Sequence, residues 1–97
     1  MAKSDAAAVD RFREAAYRGN SQAMTNLGVM LLDGRGVPKD EVAAATWFRK
    51  AAEAGNVDAM KNFAHMLSEG IGVKKDEAAA SDWRDQAEFK LHFDRLQ

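Results

Sequence analysis

The sequence contains no cysteine, and it has no apolar run long enough to cross a membrane. Without cysteine there is no disulfide framework and no thiolate chemistry. The apolar runs fall short of the ~18 residues that a membrane-spanning helix needs, and the N-terminus lacks the apolar segment of a signal peptide. We therefore expect a cytoplasmic protein without membrane association. A segment of a longer secreted protein would show the same pattern.

An excess of charge of one sign is also missing. The chain has 14 basic and 15 acidic side chains, mixed along its length, and a net charge of −1. Such a chain offers no basic field to the phosphates of a nucleic acid, so we expect no nucleic-acid partner. There is one proline, β-branched residues are few and alanine is abundant, which favours an all-α fold.

No residue pattern indicates catalysis or cofactor binding. His65 and His92 lie far apart in the sequence and lack the i, i+4 spacing of a paired metal site. The chain contains neither Ser-x-x-Lys nor Gly-x-Ser-x-Gly, the motifs of two classes of serine nucleophile. We interpret Gly34-Arg35-Gly36 as a turn, because a phosphate-binding loop needs a preceding strand and more glycines. The sequence predicts no enzyme, no metal site and no cofactor.

The chain repeats itself at an offset of 36 residues. Residues 15–50 align with residues 51–86 without a gap, and 18 of the 36 positions are identical. Residues 3–20 align in turn with residues 39–56, so a half-repeat comes first. A fixed period of this size predicts a solenoid, in which each unit buries its apolar face against its neighbours.

Capping residues and glycines divide the chain into five predicted helices. Ser4, Asn20, Asp40 and Asp76 are predicted to cap helix N-termini, and glycines to end the helices. The helices are expected near residues 4–18, 21–33, 41–54, 57–69 and 77–96, the last being long because Leu91 replaces the expected glycine.

The predicted organisation is a leading half-repeat helix at 3–19, repeats at 20–55 and 56–86, and a C-terminal extension at 87–97. Trp47 and Trp83 are predicted to anchor the core between hairpins, and Gly28 to mark a close helix approach.

The repeated residues resemble the Sel1-like repeat. The pattern is Ala-x-x-x-Leu-Gly-x-x-Leu, then Gly-x-Gly-Val-x-x-Asp, then Ala-x-x-Trp-Phe-x-Lys-Ala-Ala-x-x-Gly. In this chain it comprises Ala23, Leu27, Gly28, Gly34, Gly36, Val37, Asp40, Ala44, Trp47, Phe48, Lys50, Ala51, Ala52 and Gly55. The second unit departs from the pattern at Phe63-Ala64, Arg84 and Gln86, which suggests a terminal unit that faces solvent or a partner.

This resemblance implies tetratricopeptide-like helical hairpins that stack as a right-handed superhelix. It also implies an adaptor or scaffold that binds a protein or peptide on its concave side, lined by the first helix of each pair (the A helix). Many members act in bacterial signalling, envelope or host-interaction settings.

Helical spacing selects the A-helix residues that a partner would contact. They are Gln22, Asn26, Val29 and Asp33 on the first A helix and Asp58, Asn62, His65 and Glu69 on the second. Stacking places Asn26 beside Asn62 and Val29 beside His65, and side-chain amides suit an extended peptide backbone. The carboxylates favour a basic partner. The alternative is that these residues form only a solvated helix face.

The C-terminal extension carries an apolar stripe, Phe89, Phe93 and Leu96, at i, i+4 and i+7. Three interpretations are open: a cap folded over the last hairpin, a homodimer interface, or the beginning of a further repeat. We favour the cap, because Asp94 and Arg95 place charge on the other side of the stripe. A self-assembling structural domain that dimerises through this helix is the alternative to the adaptor function.

Overall fold

The computed structural model describes residues 3–97, which form five helices and no strand. The helices are α1 (Lys3–Tyr17), α2 (Ser21–Asp33), α3 (Glu41–Glu53), α4 (Val57–Glu69) and α5 (Glu77–Arg95). The predicted all-α solenoid is confirmed, and each predicted helix is present to within one or two residues. The N-cap predicted at Ser4 is wrong, because α1 begins at Lys3.

Helices α2 to α5 each begin at a capping side chain. Asn20, Asp40, Asn56 and Asp76 have extended backbone, and a side-chain oxygen of each accepts a hydrogen bond from the N–H three residues on, at 2.8–3.0 Å. These bonds satisfy backbone donors that have no partner within the helix. The caps therefore fix where each helix begins.

The loops that follow α2 and α4 repeat one geometry. Gly34 and Gly70 adopt the left-handed conformation, and their N–H groups donate to the carbonyls of Met30 and Met66. This conformation is costly for a residue with a Cβ, so glycine is needed there. Each loop then turns the chain back, which places α3 against α2 and α5 against α4.

Each helix packs chiefly on the helices next to it in sequence. Substantial contacts among the described residues join α1 to α2, α2 to α3, α3 to α4 and α4 to α5. At the centre lies Phe48, fully buried, with its ring on Gly28. A methyl group built on Gly28 would lie 2.6 Å from Cε1 of Phe48, so the close approach predicted at Gly28 is confirmed.

The two tryptophans only partly fulfil the prediction of core anchors. Both pack against the core, but both stay half-buried. The Trp47 ring meets the edge of Tyr17 with 5.5 Å between centroids, and the Trp83 ring meets Phe63 in the same way at 6.0 Å. The fully enclosed aromatic side chain is Phe48, one position after Trp47.

Candidate functional site

The predicted partner-binding residues lie on α2 and α4 and reach solvent to different extents. We call the set Gln22, Asn26, Val29, Asp33, Asp58, Asn62, His65 and Glu69 the A-helix face. Five of these side chains are exposed, while Asn26, Val29 and Asn62 are half-buried. Val29 also packs against the core. The face thus has a partly buried centre with exposed polar residues around it.

A relay of side-chain amides joins α2 to the beginning of α4. Asn56 Nδ2 donates to Gln22 Oε1 at 3.2 Å, and Gln22 Nε2 donates to Asn26 Oδ1 at 3.1 Å. Asn56 is held in turn by its capping bond with the N–H of Ala59. The link between Gln22 and Asn56 was not predicted from the sequence, and it fixes part of the A-helix face across the repeat boundary.

Asn62 occupies the position on α4 that Asn26 occupies on α2. Its side chain is half-buried and makes no hydrogen bond to any residue in the described part of the chain. A side-chain amide offers two donors and an acceptor. Asn62 is therefore available to bond with a ligand backbone.

The carboxylates of the A-helix face give it an acidic character. Asp33 and Glu69 lie in the last turns of α2 and α4, and Asp58 lies in the first turn of α4, where the helix dipole favours a negative charge. Among residues 3–97, none of these three takes part in an ion pair. Lys61 is the exposed cation on the same stretch of α4. The face could attract a basic partner through charges that no internal cation neutralises.

The described residues show no arrangement typical of metal binding. Residues 3–97 hold no group of three or more His, Asp or Glu side chains that could bind an ion. His65 lies on α4 and His92 on α5, and both are exposed. None of the described helices is both long enough and apolar enough to span a bilayer.

The C-terminal stripe does not cap the last hairpin. Phe89, Phe93 and Leu96 are 71%, 50% and 70% exposed, so the cap interpretation is wrong. The physical reason is the missing glycine corner: with Leu91 in its place, α5 runs straight on to Arg95. The rings of Phe89 and Phe93 stack with 6.3 Å between centroids. They line an open groove of about 520 Å³ together with Met60, Asp85, Gln86 and Lys90.

A second exposed aromatic cluster lies between α1 and α3. Tyr17 is 73% exposed and contacts Trp47, and the ammonium group of Lys50 lies 5.1 Å from the Trp47 ring centroid. This cluster was not predicted from the sequence, because Trp47 was expected in the interior. A signal was present: the repeat has Tyr17 where the next unit has Glu53.

Helical hairpins repeated at a fixed period place the protein among the α/α solenoids. A family model described as Sel1 repeat matches residues 21–56 and 57–83. The chain belongs to the Sel1 repeat family, and the resemblance seen in the sequence is confirmed.

Two solved structures resemble the chain closely. One is c5321, a protective antigen present in uropathogenic Escherichia coli strains that displays an SLR fold. It is 38% identical in sequence and has a TM-score of 0.85. The match covers 88% of this chain and 18% of that one. The other is a Sel1 repeat protein from Oxalobacter formigenes, 34% identical, with a TM-score of 0.82 and coverage of 84% and 63%. The chain thus spans about a fifth and just under two thirds of these relatives. A search of curated proteins finds no significant match.

Sel1 repeats are generally protein–protein interaction modules, and the fold is typically a non-catalytic scaffold. Both solved relatives named above come from bacteria.

Proposed function

We propose that this protein is a non-catalytic adaptor that binds an extended segment of a partner protein on its A-helix face. The observation that carries the proposal is Asn62, whose amide has no hydrogen-bond partner among the described residues. Asn26 lies at the equivalent position, and Gln22 and Asn56 fix its orientation. Two amides one repeat apart can exchange hydrogen bonds with an extended backbone.

The charge of the face favours a partner segment that carries lysine or arginine. Asp33, Asp58 and Glu69 are exposed and have no ion pair within residues 3–97. Exposed charges of this kind act mainly on the rate and specificity of association, and salt screens them. Binding is therefore expected to weaken as the ionic strength rises.

Affinity capture from a bacterial lysate with three versions of the chain tests this proposal. The variant of the A-helix face, called the groove variant below, is Asn26→Ala/Asn62→Ala. The matched control is Arg49→Ala/Glu53→Ala, which removes two exposed polar side chains from α3 without changing the net charge. We expect at least one protein that the wild type and the control capture and the groove variant loses. Equal capture by all three versions, with unchanged helical circular dichroism, would contradict the proposal.

Self-assembly through α5 is a second candidate function. The observation that favours it is the exposure of Phe89, Phe93 and Leu96, which together form an apolar stripe along α5. Exposed apolar patches of this kind mark interaction sites. Sedimentation of the wild type against Phe93→Glu tests it: a concentration-dependent dimer that the variant loses supports self-assembly, and a monomer in both cases rejects it.

A further inference from the structure

We propose that two copies of the chain pair through α5 in an antiparallel arrangement, with a two-fold axis close to residue 92. The inference rests on the second candidate function and specifies the register and chemistry of that interface. It also names the charged residues that would select a second copy of this chain over any other partner.

The face of α5 that another hairpin would cover is polar, so a further stacked repeat is not the natural occupant of this end. On α3, which has a further hairpin beside it, Ala45, Phe48 and Ala52 are buried. The α5 positions equivalent to Ala45, Phe48 and Ala52 are Ser81, Arg84 and Glu88, and all three are exposed. The apolar surface of α5 lies instead on the stripe, around the helix from that polar face.

The spacing of the stripe makes it complementary to itself. In an antiparallel pair, residues equidistant from the two-fold axis lie opposite each other. An axis between residues 92 and 93 places Phe89 of one copy opposite Leu96 of the second, and it brings the two Phe93 rings close to the centre, within one residue of each other. The apolar contact then extends over two helical turns, about 10 Å. The interface is isologous, so it closes at two copies.

The charges that flank the stripe match under the same axis. Lys90 lies beside the stripe and Asp94 lies one turn further on, more toward the opposite side of the helix; their charged groups are 3.8 Å apart within one chain. The midpoint of Lys90 and Asp94 is residue 92, so the axis that pairs Phe89 with Leu96 also brings Lys90 of one copy close to Asp94 of the second, and the reverse. On the other side of the stripe, the midpoint of Glu88 and Arg95 lies between residues 91 and 92, about one residue from that axis. Apolar and charged residues thus indicate one register, which is the property that specifies an antiparallel helix pair.

Side chains of the second copy can pack into the groove beside the stripe. Met60, a buried residue of the core, forms its floor, and Phe89 and Phe93 form one wall. A contact limited to the end of one helix is small, and interfaces below about 1,200 Å² in total are typical of weak complexes. We therefore expect a dimer that dissociates on dilution.

Two charge reversals test the register, with sedimentation equilibrium as the measurement. Lys90→Asp places like charges opposite each other twice in its own dimer, and so does Asp94→Lys. Each variant alone is expected to raise the dissociation constant by roughly tenfold. Mixing the two restores both pairs, because two aspartates then face two lysines. The mixture is expected to form heterodimers with an affinity within about threefold of the wild type.

Val42→Glu is the matched control, since Val42 is an apolar residue of similar exposure (66%) on α3. It is expected to dimerise like the wild type. If Phe93→Glu abolishes the dimer while the mixed charge variants stay monomeric, the register is wrong but self-assembly stands. If the wild type is monomeric at every concentration, both the proposed self-assembly and the proposed register are wrong. A series of species larger than dimers would show end-to-end assembly and overturn the two-fold arrangement.

Discussion

The two hairpins of this protein share half of their residues but fill their interiors differently. In the first, α2 carries Gly28 and α3 carries Phe48, whose ring occupies the space that the glycine leaves. In the second, the equivalent residues are Ala64, fully buried, and Arg84, exposed. The second hairpin has its large aromatic side chain on the A helix, where Phe63 contacts Trp83.

The difference follows from the number of neighbours. Helix α3 lies between α2 and α4, whereas α4 is the one described helix with which α5 makes substantial contacts. A phenylalanine at position 84 would therefore lack the second helix that encloses Phe48. The repeat therefore keeps its backbone corners unchanged, while the side chains differ according to the position of each unit in the stack.

Truncating the equivalent residues of α3 and α5, Phe48 and Arg84, should give the largest contrast between the hairpins. Phe48→Ala is expected to lower the free energy of unfolding by about 3–5 kcal/mol, because it opens a cavity in the centre of the core. Arg84→Ala is expected to change it by less than about 0.5 kcal/mol, as exposed positions do. Urea denaturation followed by circular dichroism measures both. Similar losses at the two positions would show that the hairpins are packed alike.

Exchanging the small residues of the A helices should produce a smaller effect. Gly28→Ala drives a methyl group into the Phe48 ring, and the overpacking cost of about 1–3 kcal/mol outweighs a gain in helix propensity of about 1 kcal/mol. Ala64→Gly is expected to lower the free energy of unfolding by about 1 kcal/mol, because glycine has a lower helix propensity than alanine and leaves a small void. Both variants should therefore melt below the wild type. A stabilised Gly28→Ala would mean that the ring can move aside.

The smallest expected contrast lies between the two capping asparagines. Asn20→Ala and Asn56→Ala each remove a cap, at a cost of about 1 kcal/mol. Asn56 also donates to Gln22, so its loss should cost roughly 0.5 kcal/mol more. The test is a double-mutant cycle: in a Gln22→Ala background the two caps should become equivalent. A difference that persists there would place its origin elsewhere.

Most of the fold was predictable because it is determined by local sequence. The corners depend on a glycine in the left-handed conformation followed by Asn or Asp as a cap, and these residues recur at the same offset. The extension of α5 was also predictable, since Leu91 stands where the corner glycine is expected. Only its role as a cap was wrong, because the position of a stripe on a helix does not determine what covers it.

The predicted site was incomplete where contacts join distant parts of the chain. The bond between Gln22 and Asn56 crosses a repeat boundary and has no local signal. The contact between Tyr17 and Trp47 likewise joins the leading half-repeat to α3. Spacing identified which residues share the A-helix face, but not which of them are already hydrogen-bonded to each other.

The largely sequential packing of the helices also determines how the chain acquires and loses its structure. Because contacts join neighbours along the sequence, the topology is of the kind that folds in microseconds to milliseconds. Stability in such an array is a sum over adjacent pairs, so α1 and α5, with one substantial neighbour each among the described helices, should exchange their amide hydrogens before α3. A partner bound across α2 and α4 would therefore slow exchange in the middle of the chain while the ends remain free to open.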